Sequence, residues 1–257
     1  MTPALFARGV SIRFGGLAAV SNFELALPVG GLYGLIGPNG AGKTTLFNLL
    51  TGVYRPDQGE IRLGERDLIG SAPSAIAASG LARTFQNIRL FHQLSALDNV
   101  RVAQFAHRRT GLVATLLRTP AWRREEEADR AAAEAWLTAV GLEGRGAELA
   151  RNLPYGDQRR LEIARALALR PKVLLLDEPA AGMNPQEKLG LRSLIRTLRD
   201  TYDLSILLIE HDMGLVMDVC EHITVLDHGE VIARGTAAEV QVDPAVVEAY
   251  LGSPEAA

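Results

Sequence analysis

Residues 37–45 read GPNGAGKTT and match the pattern G-x-x-x-x-G-K-[ST], which constrains the fold of this chain more than any other feature. The apolar run GLYGLIG, residues 31–37, precedes the motif, and the helix-forming segment TTLFNLL follows it. Glycines in such a loop let successive backbone N–H groups point at phosphate oxygens. A strand, this loop and a helix in that order predict a nucleotide-binding site.

The residues of the loop have separate expected roles. Lys43 would place its charge at the terminal phosphates, and the Thr44 hydroxyl would ligate Mg²⁺. The alternative is a glycine-rich turn with an incidental lysine, which leaves the complete pattern between a strand and a helix unexplained. The residues expected to surround the phosphates are Gly37, Pro38, Asn39, Gly40, Ala41, Gly42, Lys43, Thr44 and Thr45.

Two carboxylates follow a second apolar run, VLLL at residues 173–176. We expect Asp177 to hold Mg²⁺ through water, and Glu178 to reach the water that attacks the γ-phosphate in line. An acidic pair at a strand end is common without any such role. Beside a phosphate loop, the pair predicts hydrolysis of the γ-phosphate of a bound nucleotide, with Glu178 next to the attacking water.

Three further residues are ambiguous when each is taken alone. His211 ends the run SILLIEHD and is predicted to donate to the γ-phosphate, although strand-end histidines are more often ordinary surface or core residues. Gln86, in RTFQN, is expected to bind metal or water and to transmit the nucleotide state to a helical lobe. Phe14, in SIRFGG, either stacks on the base or belongs to a strand core.

Apolar strands separated by helices predict an α/β fold with a mostly parallel sheet covered on both faces. Strand patterns occur at NFELAL, where Phe23, Leu25 and Leu27 share one face, and at GEIRLG. The segment HITVLDHGEVIARG predicts a hairpin with His228-Gly229 in its turn. Helices are predicted at residues 122–142, closed by Gly141, at 188–202, and once in the tail, ending at 250–252.

Charge and cysteine content exclude several classes of protein. The formal net charge is −3 and the isoelectric point is about 6.0, so charge gives no support for a dedicated nucleic-acid binder. The single cysteine, Cys220, excludes an internal disulfide and favours a reducing compartment. The apolar runs fall far short of the ~20 residues that a membrane span needs, and we see no signal peptide.

A second helix start follows a glycine in NLPYGDQRRLEIARALA, residues 152–168, and is suited to receive an anion. With the phosphate loop, Gln86, the LLLDEP segment and His211, this pattern resembles the ABC-type ATPases along essentially the whole chain. The resemblance implies a P-loop fold with an N-terminal antiparallel β subdomain and an inserted helical lobe. It also implies two ATPase domains head to tail, each ATP held between one phosphate loop and the partner's signature turn.

The signature departs from the family's usual Leu-Ser-Gly-Gly-Gln. Here it reads Leu153, Pro154, Tyr155, Gly156 and Asp157, so the serine hydroxyl that would contact the γ-phosphate is absent. The loop after LLLDEP reads Ala-Gly-Met-Asn at 181–184, where the family often has Ser-Ala-Leu-Asp. We therefore expect a heterodimer in which the ATP site using this chain's signature is the weaker one; the alternative is a homodimer.

The segments GLARTFQNIRLF, NLPYGDQRRLEIARAL, DEPAAGMNPQE and IEHDM together resemble the ATPase subunits of bacterial branched-chain amino-acid importers. This implies a peripheral subunit on the cytoplasmic face of the inner membrane, with no transmembrane segment of its own. It would work with a second related ATPase, two permeases and, indirectly, a periplasmic binding protein. The expected limits are 5–235 for the ATPase domain, about 92–160 for the helical lobe and 236–257 for the tail.

Several alternatives remain open. Phe91 and Leu94 are candidates to contact a permease, or they are ordinary core of the lobe. ATPases of urea or amide importers and of lipopolysaccharide export share this layout, although the latter keeps a serine-glycine-glycine signature. A soluble ABC ATPase acting on DNA or ribosomes usually has two domains or long coiled-coil arms, neither of which this sequence has. The histidines lack metal-ligand spacing, which argues against an unrelated metal or hydrolase site.

Overall fold

The computed structural model describes residues 2–108 and 110–251, and these form two compact units. The chain starts with β1 (Leu5–Phe14), β2 (Leu17–Leu27), β3 (Leu32–Ile36), α1 (Lys43–Leu50), β4 (Gln58–Leu63), β5 (Arg66–Asp67), α2 (Pro73–Ala78) and β6 (Leu81–Arg83). It continues with α3 (Ala96–Gln104), α4 (Leu112–Leu116), α5 (Pro120–Ala139) and α6 (Tyr155–Leu167). It ends with β7 (Val173–Asp177), α7 (Pro185–Tyr202), β8 (Ser205–Ile209), α8 (Met213–Val219), β9 (His222–Asp227), β10 (Glu230–Gly235), α9 (Ala237–Val242) and α10 (Pro244–Leu251).

The first unit comprises the described residues up to Arg83 and from Lys172 onward. It contains the predicted parallel sheet. Its strand order is β10-β9-β3-β8-β7-β6, and every pair is parallel except β10 with β9. All residues of β7 and β8 are buried, as expected for strands covered on both faces. The α/β prediction is confirmed, and the carboxyl ends of β3, β7 and β8 come to one edge.

A second sheet in this unit is the antiparallel subdomain that the resemblance implied. Its strand order is β2-β1-β4-β5. The alternation along β2 is as predicted, because Phe23, Leu25 and Leu27 are all buried. The sequence analysis did not delimit β1, which carries seven paired positions along β2 and ends at Phe14.

The predicted hairpin is confirmed, and its turn residues His228 and Gly229 both have positive φ, 44° and 83°. The predicted short tail helix is confirmed as α10, which ends at Leu251. A second short helix that was not predicted, α9, precedes it, because Pro244 starts a new helix after the extended residue Asp243. The predicted tail end at Gly252 lies outside the described residues.

The second unit, Thr84–Pro171, consists mainly of helices α3 to α6. The long predicted helix is confirmed as α5, which starts two residues earlier than expected and has Gly141 in a left-handed conformation just beyond its end. The loop before α3 is held by the fully buried Asn99, whose amide group bonds both the N–H and the carbonyl of Phe91. Across residues 2–108 and 110–251, no helix combines the length and apolarity that crossing a membrane requires.

Candidate functional site

The phosphate loop turns between β3 and α1 in a conformation that only glycine accepts. Gly37, Gly40 and Gly42 have positive φ, at 151°, 84° and 102°. A Cβ on Gly37 would lie 2.0 Å from the Leu226 carbonyl oxygen, and one on Gly42 would lie 2.4 Å from that of Ala19. The first and last glycines of the motif are therefore fixed by neighbouring backbone, and Gly40 by its conformation.

Lys43 is the first residue of α1, and its side chain folds back over the loop. Its Nζ donates to the carbonyl oxygens of Gly37 and Pro38, at 2.6 and 2.8 Å, and the residue is 6% exposed. Burial lowers the pKa of this amine, and the negative charges of Glu178 and Asp177 act in the opposite direction. The ammonium group thus interacts electrostatically with both carboxylates that the sequence singled out.

Several of the remaining loop residues are exposed and therefore accessible to a phosphate group. Asn39 and Gly40 are exposed at the tip of the loop, while Ala41 is buried beneath it. Thr44 is exposed in the first turn of α1, and Thr45 beside it is half-buried. The hydroxyl of Thr44 is accessible to a metal ion at this helix start.

Asp177 is the last residue of β7 and is 3% exposed. Its Oδ2 pairs with the guanidinium of Arg83, 2.7 Å away, at the end of the neighbouring strand β6. Arg83 also donates to the side-chain oxygen of Asn48, at 2.8 Å. Sequence reasoning missed Arg83, because nothing in the letters around it indicates which strand lies beside β7.

Glu178 and His211 meet at the end of two paired strands. Oε1 of Glu178 lies 2.7 Å from Nε2 of His211, and the carboxylate side chain is 14% exposed. Glu178 has a φ of 48°, and its N–H donates to the Ile209 carbonyl at 2.9 Å. A non-glycine residue in this left-handed region is strained, as residues at functional sites often are.

Glu210 holds the loops that follow Glu178 and that contain His211. The sequence analysis did not identify this residue. Its buried carboxylate accepts backbone N–H groups from Ala180 at 2.6 Å, His211 at 3.0 Å and Asp212 at 3.3 Å. Burial raises the pKa of this carboxyl group, the three N–H donors oppose the shift, and the charge of Glu178 adds to it. The only sequence signal was an acidic residue within a buried run.

Phe14 does not belong to a strand core, so that alternative is wrong. The residue is 46% exposed at the end of β1, and its ring meets Tyr54 edge-on with 5.3 Å between the centroids. Such a ring is accessible to a planar ligand. Base stacking by Phe14 stays a prediction.

In the second unit, a buried network joins the segment of Gln86 to α6. Arg159 donates to the carbonyls of Phe85, at 2.9 Å, and Gln86, and to the hydroxyl of Tyr155, at 2.8 Å. Glu162 accepts from the Phe85 N–H at 3.3 Å, and burial raises the pKa of this carboxyl group. The exposed Gln86 is therefore tied to the same helix that carries the signature turn.

The signature residues 153–157 form the start of α6, with Gly156 buried in its first turn. Pro154 occupies the N-cap position, where its side chain makes no capping bond, and Tyr155 next to it is 44% exposed. Asp157 pairs with Arg145. A proline cap supplies no side-chain acceptor, so the first N–H groups of α6 are not engaged by the residue before them.

The structure thus places the predicted residues in two groups. Lys43, Asp177, Glu178 and His211 converge in the first unit, where parallel strands end. Gln86 and the signature turn belong to the second unit and are joined there by Arg159. The first group combines a polyphosphate-binding loop, carboxylates for a metal ion and a carboxylate–imidazole pair. Together these features suit the hydrolysis of a nucleoside triphosphate.

Comparison with known proteins agrees with this geometry. The family model described as "ABC transporter" matches residues 20–181, and the model described as "Branched-chain amino acid ATP-binding cassette transporter" matches residues 230–256. The solved ADP conformation of MJ1267, "an ATP-binding cassette of an ABC transporter", superposes with a TM-score of 0.85 at 28% identity. That alignment covers 98% of this chain and 100% of the other.

Two curated relatives are similar along nearly their whole length. The high-affinity branched-chain amino acid transport ATP-binding protein LivG of Salmonella typhimurium is 50% identical over 252 residues, which cover 97% of this chain and 98% of LivG. The corresponding protein BraF of Pseudomonas aeruginosa is 47% identical over 250 residues, with the same coverage.

Proposed function

The chain belongs to the ATP-binding proteins of the ABC transporter family, and from that premise we propose that it is the ATP-hydrolysing subunit of a branched-chain amino-acid importer. The convergence of Lys43, Asp177, Glu178 and His211 beside the phosphate loop carries the proposal of ATP hydrolysis. The near-full-length likeness to LivG and BraF supports the transported substrate. Leucine, isoleucine and valine are the solutes expected.

ATP would bind with its phosphates in the loop 37–45. The ammonium of Lys43 now donates to two loop carbonyls, and phosphate oxygens are stronger acceptors for the same donor. The positive φ of the loop glycines turns backbone N–H groups toward the same space. Phe14 at the end of β1 would stack on the base.

Mg²⁺ fits the residues that this site offers. The accessible hydroxyl of Thr44 and the carboxylate of Asp177, both in the first unit, are hard oxygen donors. Metal binding by Gln86 stays a prediction from the sequence. When bound, the ion neutralises charge on the β- and γ-phosphates. For metal binding, the Asp177 carboxylate is already positioned by its ion pair with Arg83.

Glu178 would take a proton from the attacking water, because its carboxylate lies at the end of β7, next to the loop that holds the phosphates. His211 would fix that carboxylate and donate to the γ-phosphate. Two oxygens of one carboxylate allow Glu178 to contact the imidazole and the water together. Hydrolysis then gives ADP and inorganic phosphate.

A partner ATPase would complete each ATP site with its signature turn. In this chain the turn is residues 153–157, whose helix start presents backbone N–H groups without a side-chain cap. ATP held between two such domains would draw them together, and loss of the γ-phosphate would release them. We propose a heterodimer, because Pro154 removes the hydroxyl donor from one of the two sites.

Two permeases would bind to the second unit near Gln86. Phe91 is 50% exposed while its backbone is held by Asn99, and Leu94 is half-buried. A rigid backbone with an exposed aromatic ring suits an interface anchor. Such binding would hold the chain at the cytoplasmic face of the membrane, with the periplasmic binding protein acting through the permeases.

Urea or amide import, lipopolysaccharide export and a soluble role remain as alternatives, and one experiment separates them. The chain is co-purified from membranes with its partners, and candidate solutes with their binding protein are tested for stimulation of ATP hydrolysis. We expect stimulation by leucine, isoleucine or valine, and loss of ATP binding by about tenfold or more in Lys43→Ala. Stimulation by urea alone, or full-rate hydrolysis by the isolated monomer, would overturn the proposal.

A further inference from the structure

The short helix α4, in the second unit, carries its large apolar side chains on the outside. Val113, Leu116 and Leu117 are spaced i, i+3 and i+4, so they share one face of the helical turn. Such a face normally packs on the core, but here the three residues are 70%, 81% and 69% exposed. Leu116 is the most exposed large apolar residue in the part of the chain that the structure describes. The helix therefore turns toward solvent the face that would stabilise the fold if it were buried.

The backbone of this segment is fixed by hydrogen bonds, so the exposed face has a defined shape. The N–H of Leu117 donates to the Val113 carbonyl at 3.0 Å, and the N–H of Thr119 donates to the Ala114 carbonyl at 3.1 Å. The hydroxyl of Thr119 then caps the next helix, α5, by accepting the N–H of Trp122 at 3.3 Å. The turn from α4 into α5 thus joins the apolar face to the start of the long helix.

Basic side chains border the apolar face. Arg118 directly follows Leu117, and Arg123 and Arg124 lie near the start of α5, whose first turn contains no acidic residue. The three arginines are exposed, and none of them forms an ion pair with another described residue. The start of a helix carries partial positive charge, and the arginines add to it. This end of α5 therefore attracts anions.

The acidic residues that follow along α5 are mostly engaged elsewhere. Glu126 and Asp129 both form ion pairs with Arg108, the latter at 2.8 Å. Glu125 is half-buried and accepts a backbone N–H at 3.2 Å. Of these carboxylates and that of Glu127, the last alone is exposed. Exposed positive charge thus predominates beside α4.

We propose that α4 and the arginines beside it form a surface that binds an anionic phospholipid membrane. This α4 surface consists of Val113, Leu116, Leu117, Arg118, Arg123 and Arg124. Its aliphatic side chains would enter the headgroup region while the guanidinium groups bind lipid phosphates. A helix of five residues is far too short to span a bilayer, so the surface would lie on the membrane. The inference rests on the proposed function only in placing the chain at a membrane, and it adds a contact with the lipid itself.

The composition of the α4 surface favours lipid over a protein partner. Residues that dominate protein interfaces are mainly tryptophan, tyrosine and arginine, whereas leucine and valine are under-represented among them. Leucines bordered by arginines are typical of helices that lie in a membrane interface. The cytoplasmic leaflet carries the negative charge that the arginines require.

The first test measures sedimentation of the full-length chain with two kinds of vesicle. One contains equal parts of phosphatidylcholine and phosphatidylglycerol, and the other contains phosphatidylcholine alone. We expect binding to the anionic vesicles, and a partition constant about tenfold lower or less in the double variant Leu116→Gln, Leu117→Gln, because apolar contact is lost. The double variant Val29→Gln, Val242→Gln is the matched control, since these valines are 63% and 76% exposed in the first unit. It should bind as wild type does.

The second test addresses the charge. Arg124→Gln should lower the partition constant about fivefold, the usual contribution of one arginine at an anionic surface. Arg130→Gln is the control on the same helix, because Arg130 is engaged by Glu134 at 3.1 Å. Added salt should weaken the binding of wild type and narrow its difference from Arg124→Gln. The replaced side chains are exposed, so Tm and the rate of ATP hydrolysis should stay as in wild type; should the leucine variant lose stability, the arginine variant still decides.

The contrary outcomes are distinct. No binding of wild type to the anionic vesicles, equal binding to both kinds of vesicle, or equal binding by wild type and both α4-surface variants would overturn the lipid role. Variants that bind vesicles normally but no longer co-purify with the permeases would show a protein interface, and would overturn it too. All of these results leave the proposed function standing. A wild-type chain that does not bind ATP would instead refute the proposed function, whatever the vesicle result.

Discussion

His211 Nε2 lies 2.7 Å from Glu178 Oε1, across the ends of two adjacent parallel strands. The contact spans residues far apart in sequence, and the strand register sets it, because Asp177 is the residue paired with Ile209. The left-handed φ of Glu178 turns its side chain at this point. Glu178, the base predicted from the sequence, is thus held in place by His211, the residue predicted to contact the γ-phosphate.

Glu178→Gln should abolish most turnover while leaving ATP bound. The amide keeps the shape of the side chain but cannot accept a proton from water, so we expect kcat to fall by about 10²- to 10⁴-fold. Nucleotide affinity should stay within a few-fold, and ATP should trap the chain with its partner ATPase. Single-turnover hydrolysis and size-exclusion chromatography with ATP are the measurements. Near-full turnover in this variant would contradict the assignment of Glu178.

His211→Ala should also reduce turnover, by about 10²-fold, because both the restraint on Glu178 and a γ-phosphate donor are lost. ATP affinity should change much less than kcat. His107→Ala serves as the control, since its ring contacts only the Leu169 carbonyl among the bonds described and lies in the other unit. Equal activities of the two variants would argue against a role for His211.

The sequence allowed the local features of the fold to be predicted, but not the contacts between residues that are distant in the chain. The phosphate loop, the buried strands and the hairpin follow from short patterns of glycine, apolar and turn residues, and all were predicted. Arg83 and Glu210 were missed because each acts on a residue distant in the chain, and strand order is needed to find that partner. In the tail, the helix ending near Leu251 was predicted, whereas α9 was missed, because the division of the tail into two helices at Pro244 was not recognised.

Arg83→Met should destabilise the first unit. It leaves the buried Asp177 carboxylate without its 2.7 Å guanidinium partner, a loss that typically costs about 3–5 kcal/mol of unfolding free energy. Arg62→Met is the control, because Arg62 pairs with Glu60 at the surface, where an ion pair contributes about 0–1 kcal/mol. Urea unfolding measures both. Equal effects would show that Asp177 does not depend on Arg83.

Glu210→Gln should change the pH dependence of stability. Burial raises the pKa of Glu210 above its ordinary 4.5, so between these two pKa values the folded state binds more protons than the unfolded state. Glu210 therefore makes its full contribution to the free energy of unfolding below pH 4.5. This contribution is lost as the pH rises through the pKa that Glu210 has in the folded state. The difference in unfolding free energy between wild type and Glu210→Gln should shrink over that range. A difference that grows with pH would contradict the sign of the shift.

Pro154→Ser should strengthen the signature turn of this chain. A serine at the N-cap of α6 can accept from the first-turn N–H groups, which typically stabilises a helix by about 1 kcal/mol, and its hydroxyl can donate to the partner's γ-phosphate. Turnover at the site that uses this signature should rise. The site is isolated by combining Pro154→Ser with a glutamine substitution of Glu178 in this chain or of the corresponding glutamate in the partner. If either glutamate substitution alone lowers turnover equally, and Pro154→Ser changes neither result, the two ATP sites are equivalent and the proposed asymmetry is wrong.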